Sequence, residues 1–266
     1  MPAFAANLSF LFTELDFLDR FQAAADAGFM AVEFHFPYAY EPDEIKARLK
    51  AAGQELVLFN MHPGDFDAGD RGLAAVPGRV REFRASVEQA LTYALELDCP
   101  RVHCMAGVPG PEDRLEGCRA AFTSNLAYAG NMLTNEGVRL VIEPINTQDM
   151  PGYFLNDFDM AVEIIEELGE EGHPIPGLLF DIYHCAKIYS PGRVTEYLET
   201  CVDHIAHLQI ADIPDRHEPG TGGLPLKQIM SAVEEEFFDL HMGLEYKPQT
   251  TTEAGLAQLK AWMKVN

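Results

Sequence analysis

The sequence of 266 residues carries a formal net charge of −23, and 47% of it is hydrophobic. That apolar share supports a large core, whereas the acidic balance repels phosphate backbones and anionic lipid and sets nucleic acid and membrane partners aside. Five cysteines without a CxxC pair (Cys99, Cys104, Cys118, Cys185, Cys201), an opening without early positive charge, and no apolar run near ~18 residues lead us to expect a reducing, cytoplasmic setting, no signal peptide and no spanning helix.

In chain order, short apolar runs alternate with longer amphipathic ones at about the ~30-residue interval of a strand-plus-helix unit. Strands are predicted at Phe4–Leu8, Ala31–His35, Glu55–Asn60, Arg101–Met105, Arg139–Ile142, Gly177–Phe180, His204–Ile210 and His241–Leu244. A helix is predicted over Val80–Leu97, where Val80, Phe83, Val87, Leu91 and Ala94 recur at helical spacing. Ala120–Asn135, Asp157–Leu168 and Thr252–Met263 repeat the pattern, the last on Leu256, Leu259 and Met263 with Thr252 as N-cap. About eight strands and eight helices, without a linker or low-complexity stretch, predict a single α/β domain over residues 1–266. A (β/α)8 barrel, which takes ~250 residues, suits this length better than a doubly wound open sheet.

In such a barrel the chemistry lies at the C-terminal strand ends. Four polar residues close or adjoin successive apolar runs: Glu143 after Leu140-Val141-Ile142, Asp181 after Leu178-Leu179-Phe180, Gln209 after His207-Leu208, and Glu245 after Met242-Gly243-Leu244. Three carboxylates and an amide oxygen suit a hard or intermediate divalent ion, Mg²⁺ or Mn²⁺, better than Zn²⁺. Singly, each is as readily a helix cap or a solvated loop residue; their convergence on four consecutive strands favours the ion site. His184 follows Asp181 by three residues, Arg216 lies in the loop after Gln209 and could hold a carboxylate bidentately, and Lys247 is two past Glu245. Alone, these read as a structural histidine and two solvated charges. The turn-rich stretch Glu218-Pro219-Gly220-Thr221-Gly222-Gly223 could offer backbone N–H groups to an anion, although the Lys-Ser/Thr of a phosphate loop is missing. The Gly- and Pro-containing segment from Asn60 through Arg71-Gly72 is expected to cover the barrel mouth as a lid. The cysteines near strand ends, Cys104 and Cys185, are read as structural thiols.

Several segments resemble the hydroxypyruvate isomerase family, within the xylose-isomerase-like barrels. They are Ala6-Asn7-Leu8-Ser9, Val32-Glu33-Phe34 with Phe36-Pro37-Tyr38, Gly64-Asp65, Pro77-Gly78-Arg79, Ile142-Glu143-Pro144-Ile145-Asn146, Asp181-Ile182-Tyr183-His184, Glu218-Pro219-Gly220-Thr221-Gly222, and above all Glu245-Tyr246-Lys247-Pro248-Gln249-Thr250-Thr251. The resemblance implies that Glu143, Asp181, Gln209 and Glu245 ligate the metal and that His184, Arg216, Lys247 and Asp149 bind substrate. Ketose 3-epimerases of the superfamily carry His at the position of Gln209 and Glu at that of Asp149. The shorter Asp149 argues for a smaller substrate, and His62 departs from the apolar residue or Pro of close relatives.

The reaction implied is the interconversion of hydroxypyruvate and tartronate semialdehyde through an enediolate, with Glu143 and Glu245 moving the proton and the metal acting as Lewis acid. The same chemistry on 2-oxo-tetronate is the nearest alternative, and a ketose 3-epimerase follows. Outside that class stand a DNA-acting endonuclease, disfavoured by the charge and by histidines that do not mark most strand ends, and a catalytically inactive barrel serving as a binding module. Outward-facing barrel helices leave a homo-oligomer open.

Overall fold

Strands buried on both faces read as continuous apolar runs, and covering both faces of a parallel sheet requires a crossover helix after each strand. The computed structural model describes residues 3–237 and 239–265. Eight strands pair in sequence order: β1 (Ala3–Asn7), β2 (Ala31–Phe34), β3 (Glu55–Asn60), β4 (Arg101–His103), β5 (Arg139–Ile142), β6 (Gly177–Asp181), β7 (Ile205–Ile210) and β8 (His241–Leu244). Every pair is parallel, and β8 returns to β1 through Ala5↔Gly243 and Ala6↔Leu244, so the sheet closes into a barrel.

The helices are α1 (Phe17–Asp26), α2 (Pro42–Ala52), α3 (Val80–Glu96), α4 (Leu115–Thr134), α5 (Phe158–Glu170), α6 (Ile182–Ile188), α7 (Val194–Thr200), α8 (Leu226–Glu236) and α9 (Thr252–Val265). The β6–β7 crossover is divided between α6 and α7, which takes the described helices one beyond the expected eight. Local signals set their ends. Glu41 and Glu44 form a reciprocal capping box at α2, and Gly53 closes that helix with φ 65°, a conformation that costs residues with a Cβ. Asp157 accepts from the Met160 N–H at α5. At α9 the cap is Thr251, whose hydroxyl accepts from the Ala254 N–H at 3.3 Å. Thr252 instead accepts from the Phe12 N–H and bonds Glu14, tying α9 to the loop after β1. Leu256 and Leu259 pack inward as predicted, and the Met263 side chain lies outside those described.

Large aromatic side chains, among them Phe21, Phe34, Phe59, Phe83, Phe122, Phe158 and Phe180, fill the layer between barrel and helices. Inside the barrel the apolar filling is separate and smaller: Leu58, Val141, Leu179 and Ala206 in one cluster, Ala5, Ala31 and Val57 in another. The five cysteines are buried and free, and burial pushes the Cys104 thiol up to about 12, which keeps it inert. Among the described residues no helix is long and apolar enough to cross a membrane.

Candidate active site

The two-residue repeat of a strand carries the barrel interior from apolar to polar within one step. Ala5, Ala31, Leu58, Val141, Leu179 and Gly243 are followed two residues on by Asn7, Glu33, Asn60, Glu143, Asp181 and Glu245. All six polar side chains are buried, with Gln209 of β7 and His103 of β4 beside them. So many buried charges near one another demand partners.

Above this layer opens a cavity of about 330 Å³ whose polar lining includes His35, Asn60, His103, Glu143, Asp149, His184, Arg216, Glu245 and Lys247, with Phe10, Phe36, Phe66, Met105, Ile145 and Met150 as its apolar walls. Arg216 is the central cation. Its Nη2 donates to Asp181 Oδ2 at 3.1 Å and to Glu245 Oε1, and its Nε donates to the Glu245 carbonyl. Phe10 and Tyr183 stack over the guanidinium at 5.0 and 5.1 Å. Its hydrogen bonds therefore go to two protein carboxylates and a backbone carbonyl, where the sequence suggested a clamp for the substrate.

Glu143 and Glu245 stand in unlike surroundings. Burial raises the Glu143 carboxyl well above its ordinary range, and repulsion from Asp181 and Glu245 adds to this. Its Oε1 has no hydrogen-bond partner. Burial would likewise raise Glu245, but Arg216 and His35 outweigh it and hold that carboxyl at about 2. Asp181, raised by burial against the pull of Arg216, stands at about 7.

Oxygen and nitrogen atoms of Glu143, Asp181 and His184 lie within 4.8 Å of one another, close enough to share an ion. The hydrogen bonds of His184 qualify its part. Asn146 Nδ2 donates to Nδ1 at 2.7 Å, while the Asn146 Oδ1 is occupied by the Gln148 and Asp149 N–H groups. Burial holds the imidazole well below its usual range and therefore neutral. With Nδ1 as acceptor, Nε2 carries the hydrogen and points a donor at the Glu143 and Asp181 carboxylates, 3.8 and 3.7 Å away. That state suits a substrate oxygen better than a cation.

Gln209 uses its amide differently from a side chain simply facing an ion. Nε2 donates to Glu33 at 2.7 Å and to Glu245 at 2.8 Å, and Oε1 is left buried without a partner. Asp149 is tied down by Tyr183 OH at 2.7 Å and Asn146 Nδ2 at 3.1 Å, which together outweigh burial and lower its pKa. Lys247 sits exposed at the rim, its N–H bonded to the Arg216 carbonyl.

Several side chains escape a reading of strand ends. His35, one residue past β2, lies 3.3 Å from Glu245, and His103 at the end of β4 lies 3.7 Å from Glu143. Burial pushes His103 down to about 3, and its Nε2 has no partner. His35, His103 and His184 thus stand at or near three of the eight strand ends, which agrees with histidines not marking most of them. His35 and His103 follow apolar runs as Glu143 does, so the same signal marks them. The glycine-rich segment after β7 is no anion nest: the Gly220 and Gly222 N–H groups donate to Asp212 Oδ2, and that of Leu224 to Oδ1. In the expected lid, Phe66 reaches the cavity and Arg71 stacks on it at 3.7 Å. His62 instead lines a separate pocket with Asp65, Arg79 and Ser86.

A family model described as xylose isomerase-like TIM barrel matches residues 21–265. Over 99% of both chains the sequence is 46% identical to a 2-oxo-tetronate isomerase of Cupriavidus necator. It is 43% identical to the hydroxypyruvate isomerase of Escherichia coli, over 96% of this chain and 97% of that one. Among solved structures, a Brucella melitensis protein described as an AP endonuclease of family 2 superposes with a TM-score of 0.93 at 41% identity, covering 98% of this chain and 99% of that one.

Proposed function

The chain belongs to the xylose isomerase-like TIM barrel family, among its isomerases, and on that premise we propose that it interconverts the 2-oxo and aldehyde forms of a short hydroxy acid, hydroxypyruvate foremost. The observation that carries the reading is the pair Glu143 and Glu245, two buried carboxylates that face one cavity from the ends of β5 and β8. Carboxylates so placed can take a proton from one carbon and return it to the next.

In hydroxypyruvate the reaction removes a proton from C3 and returns one to C2, through an enediolate whose charge lies on the C2 and C3 oxygens, while the C3 hydroxyl hydrogen passes to the C2 oxygen. The Glu245 carboxylate, held ionised by Arg216 and His35, serves as base, and Glu143 serves as the proton carrier on the other side. Each such transfer contributes ~10²–10⁴-fold. His184 Nε2–H donates to a substrate oxygen, while Arg216 and Lys247 supply the positive charge that draws a carboxylate into an otherwise acidic protein. Asp149, fixed by Tyr183 and Asn146, lines the cavity where a substrate hydroxyl would meet it.

The oxygens present fit a divalent ion: Glu143 Oε1 and Gln209 Oε1 are buried without partners, Asp181 lies within 4.8 Å of Glu143, and Glu245 stands outside that group with its oxygens on Arg216, His35, Asn7 and Gln209, contacts an ion would have to replace in part. Glu143, Asp181, Gln209 and Glu245 would hold Mg²⁺ or Mn²⁺, and such an ion supplies Lewis-acid stabilisation to developing oxyanion charge. It would also draw Glu143 toward its ionised form, so the division of charge described above is that of the ion-free protein.

A second substrate, 2-oxo-tetronate, is favoured by the Cupriavidus relative, whose identity is slightly higher than that of the hydroxypyruvate isomerase. DNA, suggested by the description of the Brucella protein, is disfavoured by the charge of −23. Turnover of hydroxypyruvate and 2-oxo-tetronate, measured side by side with Mg²⁺, Mn²⁺ or EDTA, tests the proposal. Higher kcat/KM on hydroxypyruvate, lost in EDTA, is the expected result. Preference for the four-carbon acid would transfer the mechanism to that substrate, and inactivity on both would overturn it.

A further inference from the structure

Beneath the cavity a fourth buried carboxylate, Glu33 of β2, takes no part in the chemistry described. It is fully buried, yet it accepts three hydrogen bonds: from Asn7 Nδ2 at 2.9 Å and Gln209 Nε2 at 2.7 Å on Oε1, and it meets His207 Nε2 at 2.6 Å on Oε2. The two amides that reach Glu33 also reach Glu245 Oε2, each at 2.8 Å. Two carboxylates and two carboxamides thus form a closed square, in which Asn7 and Gln209 each bridge Glu33 and Glu245.

The square decides which way the Gln209 amide faces. Both neighbours of its Nε2 are acceptors, so a flipped amide would set its oxygen against two carboxylates. The NH₂ is thereby fixed on the inner side, and Oε1 is the atom left free. Asn7 is held in the same sense, its Oδ1 accepting from the Ser9 N–H at 3.0 Å. Space for the arrangement comes from Gly243, the β8 residue paired with Gln209, because a Cβ there would overlap the Glu33 carboxylate.

We propose that Glu33 is a positioning residue that, through Gln209 and Glu245, presets an amide oxygen and a carboxylate for a divalent cation. The role rests on the reading of Gln209 and Glu245 as ion-binding residues. It explains how an amide serves where an acidic or imidazole ligand would need no such orientation, since an amide free to rotate offers its NH₂ to the ion as readily as its oxygen. Partners of this kind, one bond removed from the ion, typically change affinity ~10–100-fold when replaced.

The test uses the full-length protein and Mn²⁺ as probe. Mn²⁺ affinity is measured by calorimetry for the parent, Glu33→Gln, Gln209→Ala and the double variant, with Asn7→Ala as a second way to open the square should Glu33→Gln not fold. Exchange of the Gln209 side-chain amide protons is followed by NMR in the ion-free parent and in the folded variant. The expected results are slow exchange in the parent and faster exchange in the variant, Mn²⁺ binding weakened ~10–100-fold by Glu33→Gln, and a loss smaller than the sum of the two single losses when that change is added to Gln209→Ala. Affinity within twofold of the parent, or additive losses in the double variant, would overturn the role. If the parent binds no Mn²⁺, the ion-binding reading fails, and the amide exchange still decides whether the square exists: unprotected protons in the parent refute it.

Discussion

Replacing Arg216 with methionine removes the cavity's central charge while keeping an unbranched side chain, and the positive φ of residue 216, 62°, burdens both side chains alike. The guanidinium stands 3.1 Å from Asp181 and also bonds Glu245. Removing one partner of a buried ion pair costs ~3–5 kcal/mol. Glu245 points the same way, because its carboxyl is held at about 2 against burial, chiefly by Arg216. A carboxyl depressed in the folded state contributes stability above its unfolded pKa, and the contribution is lost as pH falls through the folded value. The deficit of Arg216→Met is therefore full at pH 7 and shrinks below pH 4.5, where the parent surrenders the same contribution. With ~2–4 °C per kcal/mol for a chain of this size, Tm in EDTA should fall by ~6–20 °C at pH 7. A divalent ion neutralises the same carboxylates, so Mn²⁺ should raise the Tm of the variant more than that of the parent. Thermal unfolding followed by circular dichroism at pH 7 and pH 4, in EDTA and in Mn²⁺, checks all three. Equal Tm values at pH 7 in EDTA would refute Arg216 as the principal counter-charge, and a deficit that Mn²⁺ leaves untouched would refute the shared site.

Glu245→Gln and Glu143→Gln should each lower kcat by ~10²–10⁴-fold with an unchanged far-ultraviolet spectrum, and near-normal turnover in either removes that residue from the proton transfer. Asp181 at about 7 and the raised Glu143 hold protons that a cation must expel. Mn²⁺ affinity should therefore fall as pH drops below 7, with proton release visible by calorimetry in buffers of different ionisation enthalpy; a flat profile from pH 5 to 8 contradicts this. In the ion-free protein the same two groups stabilise the fold below their unfolded pKa values and cease to do so as pH rises through the folded ones. Lys247→Met, which removes an exposed rim charge worth ~1 kcal/mol at most, should raise KM up to about fivefold and spare kcat, and a loss confined to kcat would place Lys247 nearer the reacting atoms.

How much of this could be read from the chain depends on whether a signal is local. β3, β5 and β8 fall on their predicted bounds because parallel strands buried on both faces show as unbroken apolar runs. α3 ends within a residue of its prediction for the same kind of reason, its inward face being regular. α4 starts five residues before its predicted position, since Leu115 is exposed and Gly117 hides the beginning of the pattern. Glu143, Asp181, Gln209 and Glu245 were visible as polar ends of apolar runs. The partners of those side chains were not, since Arg216 meets Asp181 across 35 residues and Asn7 meets Glu245 across 238. The glycine-rich segment misled for the same reason: its N–H groups are taken by Asp212, eight to twelve residues upstream, and no local pattern records that.

Glu33 shows where a composition rule would have served better than a positional one. A carboxylate in the middle of Ala31-Val32-Glu33-Phe34 cannot be a solvated strand residue, because both faces of a barrel strand are covered. Burying a charge there costs several kcal/mol unless polar groups meet it. Its presence in an otherwise apolar strand therefore predicts donors from elsewhere in the barrel, and Asn7, His207 and Gln209 are those donors. Gly243 is the complementary clue, a residue without a side chain in a strand where β-branched residues pack better, placed where the carboxylate needs room. Interior charges and interior glycines read together locate a polar layer that a search confined to strand ends overlooks, and here that layer fixes two of the four proposed ion ligands from below.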